Sequence, residues 1–415
     1  MNDQSSSAGM PTSEAPNTQP TLPTDNTPAP DVATPKASEP KDNRKMLLLC
    51  IVAAVVVVGL AAGALLMHKK PAAKPVVATR TVKIGLLAPL TGDLANYGQV
   101  LERGAQLAHR DFNQEGLTIK LYPRDTGCDA TKAVDATKEF VKLGVVAIIG
   151  DTCSSSTAAA LPIANENKIL ILSPSASSAS LSIANDFFFR TYPTDSHQGV
   201  FATKLMYDRG LHKIAIMHGT DTYGTSLDAT AKTEFAKLGG TITSDTSFES
   251  TDTDFKATLR TILADKPDAL YIISKDEAAS AAIVVEARQL GLTVPVYGSD
   301  ALKDTSFITD MGAVGNGMTV IAPTTGNQTF LDEYKATYGA EPANATGAQS
   351  YDAYMALMRA IKNGATTGDA IRKALPTTDF QGVSGEIKFD SNGDLAGGGY
   401  NIFTIKDGAF VLTKK

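Results

Sequence analysis

The stretch VVAIIGDTCSSST, residues Val145 to Thr157, joins an apolar run to a run of hydroxyl side chains. Its first part, up to Gly150, is β-branched and apolar, which is typical of a strand buried in a sheet. The hydroxyls from Ser154 onward precede a run rich in alanine, so they predict the start of a helix. The run ILILS, residues 169–173, predicts the next strand. Strand, helix and strand in this order indicate one unit of a parallel sheet.

The same alternation of strands and helices continues on both sides of this unit. Further apolar runs predict strands in TVKIGLLAP (81–89), TIKLYP (118–123), KIAIMH (213–218), ALYII (269–273) and VPVYG (294–298). Between them, apolar residues recur at helical spacing. The C-terminal part differs, because it combines short strand-like runs with Asn-Gly and Asp-Gly turns. The pattern predicts two α/β lobes with parallel sheets, joined near residues 192–194 and 323–325.

Two hydroxyl-rich clusters follow neighbouring predicted strands. CSSST, residues 153–157, follows the first of these strands, and SPSASSAS, residues 173–180, follows the second. In open parallel sheets, ligands bind beyond the carboxyl ends of the strands. Free N–H groups at the start of a helix attract an anion there, and hydroxyls can assist. For either cluster alone, the alternative is that its hydroxyls only cap a helix or form a turn. The presence of two such clusters after adjacent strands favours a small anion-binding site.

The composition argues against several classes of function. The chain has 415 residues, of which 43% are hydrophobic and 20% charged, so we expect a sizeable core. The net charge is -6 and no run of Lys and Arg is longer than two residues, which argues against nucleic-acid binding. The five histidines and three cysteines show no zinc spacing, and a turn explains DSNGD (390–394) better than a calcium loop does. The sequence therefore predicts neither a metal site nor a cofactor.

The N-terminal part divides into three segments. Residues 1–45 are rich in Pro, Thr, Ser and Ala without aromatic residues, so they are predicted to be disordered. Residues 46–67 contain no charge, and at about 1.5 Å per helical residue they would span the roughly 30 Å core of a bilayer. The alternatives are a buried core helix and a cleaved signal peptide, which would be shorter and nearer the N-terminus. We expect an uncleaved single-pass anchor, with residues 68–80 as a tether.

A set of motifs occurs in order from Val82 to the C-terminus. They are VKIGLLAPLTGDLANYG, CDATKAV, IIGDTCSSST, ILSPSASS, FRTYPTDSHQG, KIAIMHGTDTYG, VYGSDA, YDAYMA and SGEIKFDSNGD. Each motif alone is weakly specific, but the ordered set resembles the type I periplasmic binding proteins. Within them, it is similar to the receptors for branched-chain amino acids.

The resemblance implies a particular domain organisation. Proteins of this family have two Rossmann-like lobes, joined by three hinge strands, that close on a small ligand. Lobe 1, the expected carboxylate-binding lobe, would comprise residues 81–193 and 324–387. Lobe 2, the expected ammonium-binding lobe, would comprise residues 194–323 and 388–415.

The resemblance also implies a carboxylate site in lobe 1. Matching the motifs places it on Ser154, Ser175, Ala176 and Ser177. The first and last of these would supply hydroxyls, whereas the middle two would contribute backbone groups. The family pairs the cysteines that match Cys128 and Cys153, so a disulfide is expected beside this site. Because disulfides persist in oxidising compartments, the lobes would then lie outside the cytoplasm.

Three further site residues follow from the same matching. Tyr97 in lobe 1 and Tyr223 in lobe 2 fall on aromatic positions that line the family's pocket. Asp300 falls on the acid that receives the ligand ammonium, where the Leu/Ile/Val receptor has a glutamate. An aromatic residue that walls the family's side-chain pocket has no match, because SKDEAAS (274–280) replaces it. A ligand more polar than leucine or valine is therefore plausible.

These features predict a membrane-anchored receptor for an amino acid or a similar zwitterion, delivering it to an ABC transporter permease. One alternative is a sensory ectodomain that signals through a partner, and another is a binder of a related amide or organic acid. An enzyme that uses Ser154 or Cys153 as nucleophile is disfavoured, because the sequence has no G-x-S-x-G elbow. The expected location is the cell membrane, with the binding domain extracytoplasmic.

Overall fold

The structure, a computed structural model, describes residues 44–67, 80–112 and 114–414. The chain divides between residues 76 and 77 into two units. In the first unit, α1 (Arg44–Met67) is a single helix. No helix within the described ranges is long and apolar enough to cross a membrane, so the anchor predicted over residues 46–67 is not supported. The disorder predicted for residues 1–45 and the tether of residues 68–80 lie almost entirely outside the described residues.

The second unit alternates strands and helices along most of its length. The strands are β1 (Arg80–Ala88), β2 (Leu117–Asp125), β3 (Ala147–Ile149), β4 (Leu170–Ser173), β5 (Phe188–Arg190), β6 (Lys213–Gly219), β7 (Thr241–Phe248), β8 (Ala269–Ile273), β9 (Val296–Gly298), β10 (Thr319–Ala322), β11 (Asp379–Gln381), β12 (Glu386–Lys388), β13 (Asn401–Lys406) and β14 (Ala409–Lys414). The helices are α2 (Ala95–Asp111), α3 (Ala130–Leu143), α4 (Ser154–Glu166), α5 (Asp195–Asp208), α6 (Thr222–Lys237), α7 (Lys256–Ala264), α8 (Glu277–Gln289), α9 (Thr305–Met311), α10 (Gln328–Tyr338), α11 (Thr346–Lys362) and α12 (Gly368–Ala374). The strands predicted from apolar runs are all present.

The first sheet has five parallel strands in the order β2-β1-β3-β4-β5. Its central strands β3 and β4 are buried along their whole length, which matches their continuous apolar sequence. Side chains of α2 and α11 pack against one face, with Leu101, Ala105 and Leu357 in the core. Side chains of α3 and α4 cover the other face, with Phe140 and Leu161 buried there. Because all strands point the same way, the ends of β3 and β4 meet at one edge.

The second sheet has seven strands in the order β14-β13-β10-β9-β8-β6-β7. Strands β6 to β10 are parallel, whereas β13 and β14 run antiparallel to their neighbours. The turn between β13 and β14 is formed by Asp407 and Gly408, both with positive φ (48° and 75°). This is the conformation that a two-residue hairpin turn requires, and the predicted Asp-Gly turn is confirmed.

The chain passes between the two sheets three times, after β5, after β10 and before β13. Before the third passage, Phe389 and Leu395 pack in the core beside the five-stranded sheet. After it, Tyr400 packs in the core beside the seven-stranded sheet. Three connections of this kind agree with the fold class implied by the resemblance. The residue limits given for lobe 1 and lobe 2 stay a prediction.

Candidate ligand-binding site

A small cavity lies between the two lobes. It is lined by Leu94, Tyr97, Thr152, Cys153, Ser154, Ser175, Ser177, Tyr192, Tyr223, Lys275, Asp300 and Ala301. Six of the seven predicted ligand contacts are among these residues, and the exception is Ala176. Residues from both lobes therefore face one space. We call Ser154, Ser175 and Ser177 the hydroxyl wall, and Tyr192, Tyr223 and Asp300 the acid wall.

The hydroxyl wall begins where β3 ends and α4 starts. Cys153 is the cap residue, so Ser154 is the first residue of α4 and its side chain is buried. The Ser178 backbone N–H donates to Ser154 Oγ at 3.2 Å, which leaves the hydroxyl proton of Ser154 available as a donor. The start of a helix also carries partial positive charge. The hydroxyl wall thus offers donors without a formal charge, a combination suited to an anion.

Ala176 is not among the residues that line the cavity, and both of its backbone groups have partners within the protein. Its N–H donates to Ser173 Oγ at 2.8 Å, and its carbonyl accepts from Arg190 Nη1 at 3.0 Å. Ser173 Oγ in turn donates to the Asp151 carbonyl at 2.8 Å, so the ends of β3 and β4 are tied together. The ligand contact predicted for the Ala176 backbone therefore has no counterpart among the lining residues. Ser175 and Ser177, on either side of it, face the cavity instead.

Arg190 holds the loop of the hydroxyl wall from behind. Its guanidinium is fully buried and pairs through Nε with Asp394 Oδ1 at 2.6 Å. Through Nη1 it donates to the carbonyls of Ala176 and Ser178, at 3.0 and 2.9 Å. A buried charge needs this degree of compensation, because desolvation of an unpaired guanidinium is costly. Arg190 thus positions the loop, although the resemblance assigned it no role.

A disulfide joins Cys128 to Cys153, as the resemblance implied. Cys128 lies just before α3, and Cys153 caps α4 and lines the cavity. The bond fixes the connection after β2 against the start of α4. It also removes Cys153 as a free thiol nucleophile.

The acid wall is centred on Asp300, which is almost fully buried. Tyr192 Oη and Tyr223 Oη each donate to one of its carboxylate oxygens, both at 2.6 Å. Burial raises the pKa of Asp300, and the two tyrosine hydroxyls oppose that shift. The carboxylate is therefore oriented by its neighbours but has no cation among its hydrogen-bond partners in the described residues. Such a group gains from a ligand that brings a positive charge.

Two tyrosine–glycine pairs bring the tyrosines to the cavity from opposite lobes. Tyr97 precedes Gly98 near the start of α2, and Tyr223 precedes Gly224 near the start of α6. A Cβ at Gly98 would clash with the Pro89 carbonyl, and one at Gly224 would clash with the Gly219 carbonyl. Glycine therefore allows each helix to start directly against the end of its preceding strand, which carries the tyrosine to the cleft.

Lys275 is the cationic residue of the cavity lining. Its Nζ lies 3.3 Å from Asp276 Oδ1 and 3.6 Å from Asp221 Oδ2. Burial lowers the pKa of Lys275, but these two carboxylates raise it further, and the net shift is upward. The ammonium thus stays charged at the cavity wall. It lies in the segment 274–280, which by the resemblance replaces an aromatic residue of the family's pocket.

Sequence reasoning missed Tyr192 and Lys275 as cavity residues. Tyr192 belongs to the quoted motif FRTYPTDSHQG and lies at the first passage between the lobes, so its position offered a signal. Lys275 carried a weaker signal, because a lysine beside two acids usually indicates a solvated surface. Leu94, Thr152 and Ala301 complete the lining and had no distinguishing sequence feature.

Comparison with known proteins agrees with the fold. The profile of the periplasmic binding protein family matches residues 81–409. A leucine-, isoleucine-, valine-, threonine- and alanine-binding protein of Pseudomonas aeruginosa is 26% identical over 339 residues, which cover 79% of this chain and 90% of that protein. A leucine binding protein from Thermotoga maritima has a solved structure with 30% identity and a TM-score of 0.74, covering 80% of this chain and 97% of its own.

A third relative was solved with its ligand. It is the substrate binding protein of a branched-chain amino acid transporter from Streptococcus pneumoniae, in complex with isoleucine. It is 26% identical, with a TM-score of 0.73, and covers 81% of this chain and 100% of that chain. The chain therefore belongs to the periplasmic binding protein family. The resemblance to the type I branch and its branched-chain amino-acid receptors is confirmed.

Proposed function

We propose that the chain is an extracytoplasmic receptor that binds one zwitterionic amino acid in the cavity between its lobes. The observation that carries the proposal is the pair of opposed walls, with neutral donors around Ser154 on one side and the carboxylate of Asp300 on the other. A ligand carboxylate suits the start of α4, and a ligand ammonium suits Asp300. An α-amino acid carries both groups on one carbon, so it would reach both walls at once.

We further propose that the ligand side chain is polar. Lys275 lines the cavity with a charged ammonium, and it lies in the segment that, by the resemblance, replaces an aromatic residue of the branched-chain receptors. An apolar side chain would desolvate that ammonium without giving it a hydrogen bond, which is unfavourable. A side chain with an amide or carboxylate oxygen would accept from Lys275 instead. Amino acids with an acceptor in the side chain are therefore the expected ligands.

Binding is expected to favour closure of the lobes. Tyr97 of lobe 1 donates to the Ala301 carbonyl of lobe 2, and Asn96 Nδ2 donates to Asp304 Oδ2 at 2.7 Å across the same cleft. These bonds form when the lobes are close together, as they are in this structure. A ligand that contacts both walls adds further interactions to that state alone, so it shifts the equilibrium toward closure.

Delivery to an ABC transporter permease is the expected use of this binding. The support comes from the relatives, since one of them is the substrate binding protein of an amino-acid transporter. Sensing through a partner protein would use the same cavity and the same closure. The two uses differ in what contacts the closed lobes, so uptake of labelled ligand by membrane vesicles, with and without the receptor, separates them.

A thermal-shift screen of the purified full-length chain tests the binding proposal. The ligands are amino acids with apolar, amide and acidic side chains, together with the des-amino analogue of each. At about 100 times its Kd, a true ligand adds about 2.7 kcal/mol of stability, which raises Tm by a few degrees. We expect the largest shift from an amino acid with a side-chain acceptor and none from its des-amino analogue.

Three outcomes of the same screen would contradict parts of the proposal. If no amino acid raises Tm, the amino-acid assignment is wrong. If a des-amino analogue raises Tm as much as its parent, the chain is a binder of organic acids or amides. If apolar amino acids give the largest shift, the assignment of Lys275 to the ligand side chain is wrong, whereas the assignment of the two walls stands.

A further inference from the structure

A histidine and two aspartates from three different elements converge in lobe 2. His218 lies in β6, Asp228 in α6 and Asp245 in β7, and none of the three lines the cavity described above. Their donor atoms lie within 4.8 Å of one another. His218 Nε2 is 3.7 Å from Asp228 Oδ2 and 3.6 Å from Asp245 Oδ1. The cluster thus places one nitrogen donor beside two carboxylates.

The orientation of the imidazole is set by its other nitrogen. His218 Nδ1 lies 2.9 Å from the Gly219 carbonyl oxygen. A carbonyl oxygen can only accept, so Nδ1 must carry the proton of this bond. In the neutral imidazole, the lone pair is then on Nε2 and is directed toward the two carboxylates. Either a proton on Nε2 or a cation shared among the three groups compensates the two carboxylates at this nitrogen.

Two further observations indicate that the cluster can take a cation. Lys232 Nζ already bonds to both carboxylates, at 2.7 Å from Asp228 Oδ2, so a positive charge is held at this place. Its side chain is 39% exposed and can move into solvent. In addition, Asp228 is only 4% exposed, and its Oδ1 has no hydrogen-bond partner among the described residues. That buried oxygen is an unused acceptor within the cluster.

We propose that His218, Asp228 and Asp245 form a site for a divalent transition-metal ion, with Lys232 as the displaceable cation. One imidazole and two carboxylates suit Zn²⁺, whereas Mg²⁺ and Ca²⁺ prefer oxygen ligands throughout. With bonds of about 2.0–2.1 Å, tetrahedral ligands of Zn²⁺ lie roughly 3.3 Å apart. The three donor atoms, which lie within 4.8 Å of one another, would therefore move closer together around the ion. Asp245 is partly exposed and provides the entry side. The ion would link β6, α6 and β7.

Metal binding is measured on the untagged full-length chain, after chelation and with Zn²⁺ as the probe. Equilibrium dialysis is expected to give one Zn²⁺ per chain, and Co²⁺ in its place is expected to give the visible absorption of a low-coordinate site. His218→Gln is expected to weaken Zn²⁺ binding by about 10–100-fold or more. Lys232→Met is expected to tighten it by about tenfold, because the competing ammonium is gone.

A matched control uses the neighbouring helix. Lys204 and Asp208 of α5 form a similar i,i+4 pair at 2.9 Å, so Lys204→Met removes an equivalent charge away from the cluster. It should leave Zn²⁺ affinity unchanged. The proposal is overturned if wild-type chain binds no Zn²⁺, if His218→Gln binds it as tightly as wild type, or if Lys204→Met and Lys232→Met have equal effects. Binding of the amino-acid ligand is measured separately, so the two proposals fail independently.

Discussion

The hydroxyl wall and the acid wall face the same cavity but are built on different physical principles. The hydroxyl wall uses neutral groups, namely serine hydroxyls and the start of α4, and a buried arginine supports its loop from behind. The acid wall uses a formal charge, Asp300, held by two tyrosine hydroxyls. Neutral polar groups that are hydrogen-bonded within the protein lose little by burial, whereas burial of the Asp300 carboxylate without a cation raises its pKa.

This difference indicates which wall contributes more to the free energy of ligand binding. In the loop of the hydroxyl wall, the backbone N–H groups of Ala176 and Ser178 are satisfied by protein groups, because they donate to Ser173 Oγ and Ser154 Oγ. The hydroxyl proton of Ser154 is neutral and stays available to a ligand. Asp300 lacks an equivalent partner for its charge. A ligand ammonium would therefore contribute more at the acid wall than a ligand carboxylate at the hydroxyl wall. The variants below measure the two contributions separately.

Loss of Arg190 is expected to have the largest effect, and the effect is on stability. Arg190→Met leaves the carboxylate of Asp394 buried without its partner, and it frees the carbonyls of Ala176 and Ser178. Removing one partner of a buried ion pair typically costs about 3–5 kcal/mol in the free energy of unfolding. Urea denaturation of both proteins gives the difference. If it is below about 1 kcal/mol, Arg190 does not support the hydroxyl wall as argued.

A second substitution separates the two contributions to the loss of stability, namely the unpaired charge of Asp394 and the freed carbonyls of the loop. Combining Arg190→Met with Asp394→Asn removes the uncompensated charge but leaves the loop carbonyls free. The double variant should recover part of the stability, and the remaining loss measures the support given to the hydroxyl wall.

Asp300→Asn is expected to cause the next largest effect, on ligand affinity. The substitution keeps the shape but removes the charge that faces the ligand ammonium in a buried site. Loss of one member of such a pair typically costs about 2–5 kcal/mol of binding free energy. Isothermal titration with the ligand found in the screen gives the value. Unchanged affinity would mean that Asp300 does not receive an ammonium.

The des-amino analogue serves as a control for this substitution. It should bind wild type poorly, because it leaves Asp300 without a cation, and it should lose little more in Asp300→Asn. A large further loss would indicate that the substitution has disturbed the fold of the cavity rather than its charge alone.

Asp195 offers a pH-dependent test of the region behind the hydroxyl wall. Burial raises the pKa of Asp195 to about 7, and the nearby hydroxyls of Ser226 and Ser177 lower it only in part. Neither carboxylate oxygen of Asp195 has a partner at hydrogen-bond geometry among the described residues. The unfolded chain releases this proton near 3.8. The folded state thus binds more protons between these values, so the stability due to this group is present at low pH and is lost as pH rises through about 7.

Comparison of wild type with Asp195→Asn isolates this contribution. Between about pH 5 and about pH 8, wild type should lose about 2–3 kcal/mol more unfolding free energy than the variant. Urea denaturation at the two pH values gives the four free energies that are needed. Equal pH dependence in both proteins would show that Asp195 is ionised in the fold throughout.

The two walls also differ in how far the sequence predicted them. Ser154 and Ser177 follow adjacent strands, so the rule for parallel sheets brought them together before any resemblance was considered. Asp300 depended on the motif VYGSDA, because a single acid after a strand has no pattern of its own. Tyr192 was missed because it comes close to Asp300 only in the folded chain, where the first connection between the lobes brings the two residues together.

The fold was predictable because its signals are local, whereas the missed sites depend on contacts between distant segments. Apolar strands and helical spacing predicted the parallel sheets and the antiparallel tail. His218 and Asp245 are neighbours only because β6 pairs with β7, and their sequence spacing resembles no metal motif. Spacing rules find metal sites within one turn or helix, so a site assembled across a sheet edge stays invisible to them.

Ser154→Ala is expected to have the smallest of these effects and tests the hydroxyl wall directly. The hydroxyl accepts from the Ser178 N–H and can donate to a ligand carboxylate, and a hydrogen bond to a charged group is worth about 1.5–3 kcal/mol. Titration should show that loss of affinity. The Tm of the free protein should also fall by a few degrees, because the buried Ser178 N–H loses its acceptor, so the titration is done well below that Tm. Ser155→Ala, one residue further along α4 and outside the cavity lining, is the matched control and should bind as wild type does. If Ser154→Ala costs as much as Asp300→Asn, the neutral wall contributes as strongly as the charged one and the contrast between them is wrong. If it costs nothing, the backbone N–H groups of α4 alone hold the carboxylate.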